Sequence, residues 1–163
     1  METLDLKKKF KPYYQPKPGR IELIDIPPFN FIMIDGAIEP GQAPGISPGF
    51  SEAMQALYGA AYTLKFMVKQ RPNNPINYPV MALEGLWWVE DGMFDITVKD
   101  NWFYTLMILQ PDVILLNEVL RGTSGSEIAA LLGVHRSTIL RMLLRNPGAE
   151  RYDLSGITML VGG

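Results

Sequence analysis

The sequence predicts an α+β fold: a β-α-β-β unit, one amphipathic helix packed on an antiparallel sheet, with a helical C-terminal tail appended. Three observations predict it. Residues 21–26, 29–38, 80–90 and 101–110 are rich in β-branched and aromatic residues and carry the period of two that marks a strand. Within 51–70, by contrast, Met54, Leu57, Ala61, Leu64 and Val68 recur at spacings of three and four, the stripe of a helix with one buried face. The order strand, helix, strand, strand then favours a helix laid on one side of a sheet rather than alternating βαβ crossovers.

Taken along the chain, residues 1–20 read as a short basic helix and an arm. METLDLKKKF is helical in pattern, and the prolines and Gly19 of KPYYQPKPGR stop a helix near Lys11. IELIDI (21–26) alternates apolar and acidic residues and is β-branched at Ile21, Ile24 and Ile26, a strand signature. Pro27-Pro28 interrupts it before FNFIMIDGAI (29–38) resumes, which gives one bent edge strand or two short ones. The proline- and glycine-rich EPGQAPGISPG (39–49) is a loop, and Ser51 is placed to cap the following helix. That helix stops at Arg71-Pro72, and NNPINYP makes the turn into strands 80–90 and 101–110. Asp91-Gly92 between these two strands suits a hairpin connection. The organisation expected is a basic helix and arm (1–20), the β-α-β-β unit (21–113) and a tail (114–163).

Composition narrows the function classes. The 163 residues are 47% hydrophobic, enough for one packed core, and contain no run of 18 apolar residues. Charge fills the N-terminal stretch where a signal peptide needs apolar residues, so a cytoplasmic protein is expected. With no cysteine and His135 as the one histidine, thiolate or imidazole metal sites and a Ser-His triad are set aside, and neither a metal nor a cofactor is expected. Residues 21–113 hold four Lys/Arg against eleven Asp/Glu. A cavity there sits in a negative field that favours neutral or cationic ligands over phosphates. The plainer reading of that charge is a solvated acidic surface.

The chemistry concentrates on VMALEGLWWVED (80–91). Alternate side chains of a strand share a face, so Glu84, Leu86, Trp88 and Glu90 point one way, and Leu83, Gly85, Trp87 and Val89 the other. Trp87 belongs under the helix; Trp88 lies beside Glu84 on the reverse side. In the next strand Trp102 and Tyr104 share a face with Leu106 and Ile108, opposite Phe103, Thr105 and Met107. One helix covers one face, so the remaining aromatic face calls for a ligand, another domain or a second subunit. Tyr58 and Tyr62, one helical turn apart, are placed to rim a pocket with Trp88, Trp102 and Tyr104. Glu84, desolvated among indoles and leucines, suits a general acid or the counter-charge of a cation. The alternative is that the aromatics are core and that Glu84 bonds a strand end or Lys65.

METLDLKKKFKPYY, FNFIMIDG, EAMQALYGAAYTLKFMVK, YPVMALEGLWW and NWFYTLMILQPD together resemble GyrI-like small-molecule-binding proteins, in particular the subgroup that includes cyclopropanoid cyclopropyl hydrolases. The resemblance spans residues 1–113. It implies two β-α-β-β repeats facing each other across an aromatic cleft, multidrug-type recognition of lipophilic and often cationic molecules, and in some members hydrolysis of strained cyclopropanes of DNA-alkylating natural products. This chain has room for one repeat, and a homodimer is the reading under which a second copy supplies the other.

The tail reads in three ways, of which the plainest is a helical packing element. SEIAALLGVHRSTILRMLL (126–144) has helix-turn-helix spacing, with Arg136, Ser137, Thr138 and Arg141 toward DNA. ILRMLLRNPGAERYDLSGITMLVGG (139–163) resembles an internal fragment of acyl-CoA synthetases, and under that reading two apolar helices and a final strand, ITMLVGG, are expected to cover the open sheet face. The expected function is binding of a lipophilic, neutral or cationic small molecule, with a cyclopropanoid hydrolase and a ligand-responsive DNA-binding regulator as alternatives. No membrane partner is expected, and DNA is the least favoured one.

Overall fold

The computed structural model describes residues 1–15, 17–19, 21–97 and 101–114, and the backbone of residues 158–159. Strand β1 (Glu2–Thr3) leads into two short helices, α1 (Leu6–Lys9) and α2 (Lys11–Tyr14). The helical run thus passes Lys11 and reaches Tyr14, because Pro12 sits in the first turn of α2, where a missing N–H costs nothing. Strand β2 (Asn30–Ala37), helix α3 (Pro48–Lys69) and strands β3 (Ile76–Asn77), β4 (Leu83–Trp88) and β5 (Phe103–Gln110) follow. A two-residue strand, β6 (Thr158–Met159), completes the described elements.

The main sheet runs β2-β5-β4-β6, antiparallel at each step, while β1 and β3 make a separate parallel pair. β6 pairs with β4 at Leu86↔Met159 and Trp87↔Thr158, so Thr158–Met159 extend the sheet at its edge instead of covering a face. Residues 21–26 are not a strand: they belong to no sheet and are exposed, a correction to the period-two reading of IELIDI. The pattern is that of a strand, but a strand exists only where a neighbour takes its backbone hydrogen bonds.

Helix α3 carries the core. Ala53, Ala56, Leu57, Ala60, Ala61, Leu64 and Val68 are buried, and they face the side of the sheet that holds Ile32, Ile34, Leu106 and Ile108. Six alanines or leucines at this spacing let the helix sit close to the sheet. Its cap is Ser47, four residues earlier than Ser51: the Ser47 hydroxyl accepts from the Phe50 N–H at 3.2 Å and donates to Glu39, whose other oxygen accepts from the Gly49 N–H at 3.0 Å. Those bonds to the charged form hold the Glu39 carboxyl below the usual range. Ser47→Ala removes both links and is expected to cost about 1 kcal/mol in urea unfolding.

The reverse face is not bare. Phe29, just before β2, makes edge contacts with Phe10 (5.0 Å), Tyr13 (5.4 Å) and Phe31 (6.5 Å), which pack the N-terminal helices against the end of this face. Lys9 pairs with Asp112 at 3.6 Å across the same corner. The expectation of a single covering helix is therefore corrected: α1 and α2 cover part of the side that α3 leaves open. The contact is tertiary and joins residues far apart in sequence, so no local period announces it.

Candidate functional site

The register fixes what the reverse face presents. Glu84 stands opposite Met107, Leu86 opposite Thr105 and Trp88 opposite Phe103, and β2 continues these rows with Met33, Asp35 and Ala37. Cross-strand partners share a face, so this side carries two carboxylates, a threonine and an aromatic pair on a floor of methionine and leucine. Trp88 and Phe103 stack with ring centroids 6.1 Å apart and planes 21° from parallel. Thr105 donates its hydroxyl proton to Asp35 at 2.5 Å. All of the Glu84, Leu86, Trp88 and Phe103 side chains are half-buried.

Glu84 receives a hydrogen bond from the Tyr14 hydroxyl at 2.6 Å. Burial raises the Glu84 pKa, and the Tyr14 bond, which favours the carboxylate, lowers it by less. Tyr14 is pushed well above its ordinary range by burial first and then by the neighbouring carboxylate, so it stays a proton donor at any physiological pH. The result is a carboxyl with a raised pKa, oriented by a tyrosine brought in on α2 and open to one side. Such a group can donate a proton to a bound molecule or oppose a positive charge.

The other residues singled out in the sequence are dispersed. Trp102 and Tyr104 are buried on the α3 side, beside a half-buried Trp87 that lies 5.9 Å and 5.7 Å from them and 5.5 Å from Phe50 of the helix. They share a packed aromatic cluster and not the face of Trp88. Tyr58 is half-buried against the core, while Tyr62 is exposed, with the Lys65 ammonium 5.9 Å above its ring. Arg136, Ser137, Thr138 and Arg141 lie outside the described residues. The structure thus brings Trp88 and Glu84 to one face and adds Tyr14, Asp35, Thr105 and Phe103. Phe103 and Thr105 could have been read from the strand period, which puts them opposite Trp102 and Tyr104; Tyr14 had no such signal, being 70 residues from its partner.

A cavity of about 530 Å³ opens at the hairpin end of β4 and β5, between Glu90, Asp91 and Asp95 on one side and Met93, Trp102 and Phe103 on the other. It borders Phe103 of the Trp88–Phe103 stack, and its first lining residue after β4, Val89, is about 17 Å along the chain from Glu84 by strand rise. Among the described residues no three His, Cys, Asp or Glu side chains converge as metal ligands, and no helix is long and apolar enough to cross a membrane.

Neither a protein-family profile nor a curated protein matches the chain. Solved structures do. An uncharacterized conserved protein from Listeria innocua is 28% identical with a TM-score of 0.63, the match covering 96% of this chain and 65% of that one. Two further crystal structures, each of a hydrolase from Listeria innocua, are 28% and 30% identical with TM-scores of 0.61 and 0.59. Those matches cover 98% and 83% of this chain and 66% and 62% of the neighbours. The chain therefore spans less than two thirds of the length of each. Its mixed α+β fold is similar to that of these three structures, two of them of hydrolases.

Proposed function

We propose that the protein binds a lipophilic, neutral or cationic small molecule against the Glu84–Trp88 face of its sheet. The observation that carries this reading is the Tyr14–Glu84 pair on the same sheet face as the Trp88–Phe103 stack, about 13 Å along β4, so that a polar anchor with a raised pKa and a flat apolar wall share the side away from α3. Aromatic faces hold planar or cationic ligands through stacking and cation–π attraction, and the carboxyl supplies the counter-charge or a hydrogen bond. Tetraphenylphosphonium is the probe that tests it, by quenching of tryptophan fluorescence. Saturable quenching is expected, with Kd raised tenfold or more in Trp88→Ala and within twofold of wild type in Trp87→Phe. Equal insensitivity of the two variants rejects the face.

The hydrolase neighbours favour a second reading, in which the same face performs hydrolysis. The protonated Glu84 carboxyl gives its proton to the atom that leaves with the bonding electron pair, while water bonds to the other atom and returns a proton to the carboxylate. The GyrI-like resemblance directs this to strained cyclopropanes, whose C–C bond opens with water added across it. Glu84→Gln removes the proton donor and abolishes turnover of a cyclopropane-bearing substrate; turnover retained in that variant rejects the role.

A further inference from the structure

We infer that residues 21–26 form an intermolecular strand, laid antiparallel along the free edge of β2 in a second copy of this chain. In the described structure the apolar side chains of this arm are solvated: Ile21 and Leu23 are fully exposed, and Ile24 and Ile26 are exposed as well. Four large aliphatics on six residues are an unusual surface for a segment in water. Ile21 and Leu23 fall on one side of an extended chain and Ile24 and Ile26 on the other, the pattern of a strand with both faces covered. β2 stands at the end of the sheet order, with its outer edge unpaired among the described residues.

In its own chain the arm does not pair with that edge, since residues 21–26 belong to no sheet. A tight hairpin between residue 26 and β2 needs a left-handed residue in its turn, and the turn here is Pro27, Pro28 and Phe29. Proline is locked at negative φ, and Phe29 is not among the residues with positive φ. The connection therefore disfavours a tight hairpin that would fold the arm back onto its own β2. In a two-fold dimer the same geometry becomes reciprocal, each copy giving an arm and receiving one. The lengths agree: six residues of arm extend about 20 Å and the eight of β2 about 26 Å.

Light scattering of the full chain over a concentration series tests the inference. Wild type is expected to be a dimer, and Leu23→Lys/Ile26→Lys a monomer with unchanged far-ultraviolet circular dichroism. A monomeric wild type, whether the rest of its own chain covers the arm or water does, overturns it, as does a doubly substituted chain that still dimerises. A second variant works from the other side: Pro27→Asn/Pro28→Gly lets the arm fold back on its own β2, raising the dimer Kd at least tenfold. An unchanged Kd overturns the arm exchange. These readouts are independent of tetraphenylphosphonium binding, so arm and ligand face succeed or fail separately.

Discussion

Alanine in place of Gly36 is expected to lower the unfolding free energy by about 3 kcal/mol in urea titration, the upper range for forcing a group into a filled site. Gly36 lies opposite Tyr104 in the β2–β5 register, and the tyrosine ring rests on the space where a side chain would be. A Cβ there would collide with the Tyr104 hydroxyl and Cζ and come within 2.8 Å of Cε2. The ring has nowhere to retreat: it meets Phe50 at 5.1 Å and Trp87 at 5.7 Å, and its hydroxyl donates to the Gly49 carbonyl at 3.4 Å. Moving Tyr104 therefore loosens the sheet from the start of α3 as well as crowding one strand. Gly59 is the control. It lies on the exposed side of α3 with nothing near its Cβ position, so Gly59→Ala is expected to stabilise by about 1 kcal/mol through helix propensity.

How far the sequence discloses this fold depends on how local the determining interaction is. The strict two-residue period of a strand separates Trp87 from Trp88 and puts Glu84 with Trp88, and the structure has Trp87 against Phe50 of the helix and Trp88 against Phe103 on the other side. The same period places Trp102 and Tyr104 with Trp87, and grouping them with Trp88 as one pocket joins two faces that the sheet keeps apart. Helix α3 is legible because its stripe is long; its start is misplaced because Ser47 and Ser51 both have a capping hydroxyl, and the choice is made by Glu39 reaching across the loop to Ser47. IELIDI has strand composition without a strand, since composition cannot provide the neighbouring edge. Tyr14 escapes any local reading because its value lies in a bond to Glu84, which only the folded chain brings near.

The effect of pH on stability gives the most direct reading of the Tyr14–Glu84 pair. Burial raises the Glu84 pKa in the folded state above its unfolded value, so folding favours the protonated carboxyl. The sign follows by linkage: the stabilisation is fully present below the ordinary carboxylate pKa and is lost as pH rises through the higher, folded one. The urea midpoint of wild type relative to Glu84→Gln is therefore expected to fall between pH 4 and pH 8. The glutamine, neutral throughout and able to accept from Tyr14, leaves the variant the more stable at pH 8 and close to wild type at pH 4. Tyr14→Phe shifts the balance in a known direction. It deletes the one bond that favours the Glu84 carboxylate, so the folded pKa climbs further and the stability lost on raising the pH exceeds that of wild type. Parallel pH profiles for wild type and Glu84→Gln would mean that Glu84 titrates as a solvated carboxylate, and a carboxylate of that kind would be neither a proton donor at neutral pH nor a desolvated partner for a bound cation.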